Sequence, residues 1–247
     1  MAEKNLDFDT VIDRTHTNSL KYDFAVQRGK PKDVLPLWVA DMDFQVSSYI
    51  QEALAGSVAH GIFGYSEAAG SYFEAVAGWM GRHYGWNVEE PWLVKTPGIV
   101  FALAQAVRAF TEPGDAVLLQ QPVYYPFSQV IRDNGRKIVD NTLVQGEDGR
   151  YRIDFADFEE KIRSCKVKLF FLCNPHNPVG RVWTKEELER MGDICLRHHV
   201  IIMDDEIHCD FVYPGYHFTS FMTLDEKYQE NLVLYTSPSK TFNVAGF

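Results

Sequence analysis

The sequence predicts an α/β fold built on a mainly parallel, doubly wound sheet, and three observations predict it. From about Glu67 onward, helical and strand-like patterns take turns along the chain. The strand-like stretches are short apolar runs without in-out alternation, as expected of parallel strands covered on both faces. The most polar and least ordinary segments follow those runs directly, and in open α/β sheets ligands gather beyond the C-terminal strand ends.

In chain order, residues 1 to about 50 read as an arm and part of a second, smaller domain. They are polar and punctuated by Gly29-Lys30-Pro31 and Leu35-Pro36-Leu37-Trp38, and from Met1 to Arg14 charges alternate with isolated apolar residues. Residues 51–247 read as the large domain. Phe73, Val76, Ala77, Met80 and Tyr84 repeat at helical spacing, as do Ile99, Leu103, Ala106, Val107 and Phe110, so each set marks an amphipathic helix. Between helices, Ala116 to Leu119, Val167 to Leu172, Val200 to Met203 and Leu232 to Tyr235 have the length and composition of buried parallel strands. Thr184 with Glu187 three positions on is a capping box, opening a helix through Leu188, Met191 and Cys195.

The 24 Lys and Arg against 34 Asp and Glu give a net charge of −10, with no basic block, which argues against nucleic acid and anionic membrane as partners. No apolar run approaches the ~20 residues of a membrane span, so the expectation is a soluble cytoplasmic protein. Cys165, Cys173, Cys195 and Cys209 lie far apart with no C-x-x-C pair and read as reduced thiols acting as small buried hydrophobes.

The chemistry sits after the strand-like runs. Asn174-Pro175-His176-Asn177-Pro178-Val179-Gly180 forms a rigid turn expected to leave its amide side chains pointing outward. Asp204-Asp205-Glu206-Ile207-His208 follows the next run, and Ser237-Pro238-Ser239-Lys240-Thr241 the last. A lysine flanked by hydroxyls suits a Schiff base beside a phosphate, and a carboxylate at a neighbouring strand end suits a pyridinium nitrogen. Together they imply pyridoxal 5′-phosphate (PLP). Thr96-Pro97-Gly98-Ile99-Val100 opens a helix whose free N–H groups favour an anion, and Gln121 to Pro126 supplies Tyr124 and Tyr125. Asp204, Asp205, Glu206, His208 and Asp210 also resemble a metal cluster, but side chains diverge along a strand with period two, so no metal is expected.

In this ordered set the sequence resembles the fold-type I PLP-dependent enzymes of the aspartate aminotransferase superfamily, and within it the MalY/PatB-type cystathionine β-lyase branch. The resemblance runs through Trp38 to Phe44, Phe63-Gly64-Tyr65-Ser66, Asn174 to Gly180, Asp205 to His208 and Ser237 to Gly246. It implies the PLP-binding large domain with an N-terminal arm from an incomplete small domain. It also implies that Lys240 binds PLP covalently and shuttles the substrate Cα proton. Asp205 would pair with the pyridine nitrogen, Asn177 with the phenolic oxygen, and Tyr124 would stack on the ring. Ile99 and Val100 through backbone N–H groups, with Ser237 and Ser239 through hydroxyls, would hold the phosphate. Tyr65 would reach the phosphate of a neighbouring subunit, implying a homodimer with shared sites.

The expected reaction is C–S β-elimination from L-cystathionine or a related cysteine S-conjugate. Many aminotransferases of the superfamily carry tyrosine three residues after the pyridine-binding aspartate, where this chain has His208, expected near the phenolic oxygen. The alternatives are an aminotransferase of class I/II and a regulatory or binding protein on the PLP fold. The sequence stops seven residues after Lys240 (247 − 240 = 7), before the arginine that the resemblance implies for the substrate carboxylate, so these 247 residues alone are expected to turn over little or nothing.

Overall fold

The structure is a computed structural model that describes residues 7–247; the first six residues of the expected arm lie outside the described residues. The chain falls into two units. One joins the segment up to Ser66 with Pro238–Phe247, and the other is Glu67–Ser237. This differs from the boundary near residue 50 expected from composition, because the chain runs on through a helix, α1 (Ser48–His60), within the first unit. Ser47 caps α1 by accepting from the Tyr49 N–H, and Gly61 ends it in the left-handed region at φ 74°.

The second unit holds α2 (Gly70–Tyr84), α3 (Ile99–Phe110), β1 (Ala116–Leu119), α4 (Tyr125–Asp133), β2 (Lys137–Asp140), β3 (Val144–Gln145), β4 (Tyr151–Arg152), α5 (Phe155–Ser164), β5 (Val167–Cys173), α6 (Lys185–Arg197), β6 (Ile201–Asp205) and β7 (Leu232–Tyr235). Five strands form one sheet in the order β2-β1-β5-β6-β7, every pair parallel, while β3 and β4 make a separate antiparallel pair. The winding runs outward from β1 to β2 and then in the other direction through β5, β6 and β7. The direction therefore reverses between β1 and β5, which is where an open sheet leaves a crevice at its carboxyl edge.

Both faces are covered, which explains the continuous apolar runs. On one face Leu103 and Val107 of α3 and Phe127 and Ile131 of α4 pack against Val117, Leu119, Leu169, Phe171 and Met203. On the other, Phe158 and Ile162 of α5 and Leu188, Met191 and Cys195 of α6 pack against Leu118, Phe170, Leu172 and Ile202. Alternate residues of β5 thus serve opposite cores, with Phe170 edge-on to Phe158 and Phe171 edge-on to Phe127. The capping box forms as expected, Thr184 Oγ1 accepting from the Glu187 N–H and Glu187 from the Thr184 N–H.

Two expectations are corrected. Strand β6 begins at Ile201 and extends through Asp205, so Asp204 and Asp205 are inside the strand, not in the segment after it. Cys173, Cys195 and Cys209 are buried, but Cys165, which closes α5, is exposed.

In the first unit, Arg14 pairs with Asp41 and, at 2.6 Å, with Asp43, while the nearly buried Lys21 donates to Asp43 and to the Asp41 carbonyl, each at 3.0 Å. Burial pushes the Asp43 carboxyl up, but the hydrogen bonds from Arg14 and Lys21 outweigh it and hold the group below the usual range. The last helical turn, α7 (Pro238–Thr241), also belongs to this unit. Among the described residues, no helix is long and apolar enough to cross a membrane.

Gly192 lies on the buried face of α6, where an added Cβ would come within 2.6 Å of Tyr228 Cε1 and 3.1 Å of Phe221 Cζ, both rings being buried. Overpacking of this kind outweighs the helix propensity that alanine gains. Gly192→Ala is expected to destabilise the protein by about 1–3 kcal/mol in urea titrations, and an unchanged midpoint would show that the rings move aside freely.

Candidate active site

Cys173, Asp205 and Tyr235 end β5, β6 and β7, and the sheet register sets them side by side, Cys173 opposite Asp205 and Asp205 opposite Tyr235. Asp205 is 4% exposed, and its Oδ1 accepts from the Ile207 N–H at 3.1 Å. Its charge reaches Cys173, Tyr235 and Tyr124 as well as the adjacent Asp204 and Glu206. Burial first and then Asp205 push the Cys173 thiol well up, and the same two causes raise the Tyr235 phenol. Tyr124, which opens α4 after β1, is half-buried, and its phenol is raised by burial, then by Tyr125, then by Asp205. Cys173, Tyr235 and Tyr124 are therefore held protonated beside the Asp205 carboxylate.

Hydrogen bonds fix the loops on either side of the crevice. Cys173 Sγ donates to the Pro175 carbonyl and accepts from the Asn177 N–H, at 3.3 and 3.4 Å, and Trp183 Nε1 donates to the Cys173 carbonyl at 3.0 Å. His176 Nε2 lies 3.0 Å from the Pro122 carbonyl, tying the loop of Asn177 to the loop of Tyr124. Burial pushes His176 down to about 4, so the imidazole is neutral at physiological pH and Nε2 is the donor. Arg181 grips Glu187 with two contacts of 2.6 and 2.5 Å and donates to the Tyr151 carbonyl at 2.8 Å. Asn174 does not point outward as expected. It is fully buried, and its Nδ2 donates to the Thr219 carbonyl at 3.1 Å, whereas Asn177 is half-buried.

Helix α3 starts at Gly98, whose φ of 143° suits glycine, with no side-chain cap and no acidic residue in its first turn. An added Cβ on Gly98 would meet nothing within 4 Å, so the space there is open. The first helical N–H groups, those of Ile99 and Val100, have no acceptor within the helix and can serve an anion. The Ile99 side chain packs on the core, and that of Val100 is exposed.

The other expected site residues stand as follows. Ser237 is in the sheet unit, two residues past β7, and half-buried. His208 is half-buried in the turn after β6, its ring 6.4 Å from Phe211, and its neighbour Asp210 accepts from the Tyr84 hydroxyl. Ser239 and Lys240, both half-buried, belong to the first unit on α7, as does Tyr65, which is fully exposed in an irregular segment.

Sequence reasoning missed what lies on the reverse side of Asp205. Asp204 and Glu206 are both buried. Glu206 accepts from the Ser220 hydroxyl and the Phe221 N–H, each at 2.9 Å, while neither oxygen of Asp204 has a hydrogen-bond partner among the described residues. Burial, then the Glu206 charge, keeps Asp204 protonated, and burial raises Glu206 to about 7. The period of two in Asp204-Asp205-Glu206 was the available signal.

A fully parallel, doubly wound sheet whose winding reverses between β1 and β5, with Asp205 ending one strand and Tyr124 following another, defines an α/β protein with a candidate small-molecule site at its carboxyl edge. The chain belongs to the aminotransferase class I and II family, whose model matches residues 32–247. It is 45% identical over 241 residues to cystathionine beta-lyase PatB of Bacillus subtilis, covering 98% of this chain and 62% of that relative. It is similar to the PLP-bound putative aminotransferase of Clostridium difficile 630 (TM-score 0.94, 38% identity, 98% and 62% covered). It is likewise similar to cystalysin of Treponema denticola, whose structure contains a pyridoxal 5′-phosphate cofactor (TM-score 0.92, 39% identity, 98% and 62% covered). The chain spans about three-fifths of the length of these proteins.

The buried pair makes a pH signature. Both carboxyls titrate higher when folded than when exposed, so the native state holds more protons than the unfolded chain between about pH 4.5 and about 7 for Glu206. The stability they contribute is present at the acid end of that window and lost as pH rises through it. Asp204→Asn is expected to make this decline shallower in urea midpoints taken from about pH 5 to about pH 8; an unaltered slope would mean that Asp204 does not titrate with folding.

Proposed function

We propose that this protein acts as a PLP-dependent C–S β-lyase, cleaving L-cystathionine or a related cysteine S-conjugate to a thiol, pyruvate and ammonia. The carrying observation is Asp205, a buried carboxylate whose charge reaches Tyr124, at the carboxyl edge where the winding reverses. A buried carboxylate at the end of a central strand fits a protonated ring nitrogen, and the open, uncapped start of α3 fits a phosphate. The donor set therefore suits PLP. The relative named cystathionine β-lyase favours the lyase, as does His208 in place of tyrosine, and the PLP held by cystalysin favours that cofactor.

PLP, when bound, supplies an electron sink for the bond electrons released at the substrate Cα. Asp205 keeps the ring nitrogen protonated, and Asn177 donates its amide to the phenolic oxygen, with His208 close to that oxygen. Tyr124 covers the ring face. The N–H groups of Ile99 and Val100, with the hydroxyls of Ser237 and Ser239, bind the phosphate. Lys240 anchors the cofactor through its amine. With its amine free, Lys240 would take the substrate Cα proton and return it to the departing sulfur, which leaves with the electron pair of the C–S bond as a thiol. Water then releases pyruvate and ammonia. The exposed Tyr65 would serve the phosphate site of a second copy in a homodimer.

Borohydride reduction after PLP addition is expected to leave a pyridoxyl group on Lys240, seen by peptide mass spectrometry, and Lys240→Ala should abolish the label and, in a C-terminally extended chain, pyruvate release from L-cystathionine. Conversion of an amino acid to its keto acid without pyruvate would replace the lyase by an aminotransferase. Label without either product in that extended chain would favour a regulatory or binding role.

A further inference from the structure

Asn243 follows Lys240 by three residues and has a left-handed backbone, φ 54°, which asparagine adopts more readily than most residues other than glycine. It stands at the left-handed position just past α7. The Val244 N–H bonds to the Ser239 carbonyl at 3.0 Å and the Asn243 N–H to the Lys240 carbonyl at 3.3 Å, the paired closure with which helices stop at a left-handed residue. Glycine fills this position most easily, so the conformation alone does not call for a side chain.

The side chain is fully used elsewhere. Asn243 Oδ1 accepts from the Met42 N–H at 2.9 Å, and Nδ2 donates to the carbonyls of Met42 at 3.1 Å and Phe44 at 3.0 Å. One amide thus satisfies three backbone groups of an irregular segment 201 residues away in sequence, the segment whose Asp41 and Asp43 are held by Arg14 and Lys21. Lys240, Asn243, Arg14, Asp41, Met42 and Phe44 all line one cavity of about 550 Å³ in this unit.

We propose that Asn243 is a positioning residue, clamping the Asp41–Phe44 backbone to the turn that carries Lys240 and so setting the shape of the cavity in which the amino-acid substrate meets the lysine. The substrate part of this proposal rests on the reading of Lys240 given above; the clamp itself does not. The left-handed turn and the amide are separable, because glycine keeps the first and deletes the second, whereas alanine loses both.

The test places Asn243→Gly and Asn243→Ala in a C-terminally extended chain and compares them with the equally extended parent, all loaded with PLP, reading amide hydrogen exchange at Met42 and steady-state kinetics with L-cystathionine. Asn243→Gly is expected to speed exchange at Met42 by about tenfold and to raise KM by a similar factor. In the same variant kcat should fall less and borohydride should still trap the label on Lys240. Asn243→Ala should add a loss of thermal stability to these effects. Parent-like exchange and KM in Asn243→Gly would overturn the proposal and leave Asn243 as a turn residue only. If the parent itself takes no label, the reading of Lys240 fails, and exchange at Met42 decides the clamp alone.

Discussion

Burying one carboxylate at the end of a central strand is the constraint on which the sheet unit depends. Asp205 is almost out of water, in register between Cys173 and Tyr235, with a backbone N–H from Ile207 as one compensation. Desolvating an anion is costly unless its surroundings are polar, uncharged and fixed. The structure meets this by keeping Cys173, Tyr124 and Tyr235 protonated and by placing the other acids of the strand, Asp204 and Glu206, on the reverse face, where burial keeps them from adding full charge. Asp205 thereby holds a defined position at the carboxyl edge of the sheet.

Rigidity around that group comes from side chains bonded to backbone across loops. Trp183 holds the end of β5, Asn174 holds Thr219, and a neutral His176 joins the two loops that flank the point where winding reverses. None of these residues needs to touch a ligand. They fix the loops that carry Tyr124 and Asn177, which is the preorganisation that a shaped site requires.

Much of this was legible from the chain alone, for a physical reason. A strand covered on both faces must be apolar throughout, so β1, β5, β6 and β7 stand out as runs, and the polar residues that follow them mark the site. Strand β2 did not stand out, because it lies at the sheet edge with Lys137 exposed and the rest only half-buried. Helix α1 has no buried residue and hence no clear stripe, and α4 opens on Tyr-Pro, which reads as a turn. Asp205, Tyr124 and Asn177 were found as strand-end residues. The clamp by Asn243 was not, since its partners are 201 residues distant and backbone atoms leave no trace in residue identity.

The placement of the cysteines has a practical side. Three thiols are closed off in the interior, two of them fully and Cys209 nearly so, while Cys165 sits in the open at the end of α5. A maleimide dye would therefore find a single address on the folded chain and four on the denatured one, giving a count of folded molecules that needs no cofactor, no substrate and no knowledge of the reaction.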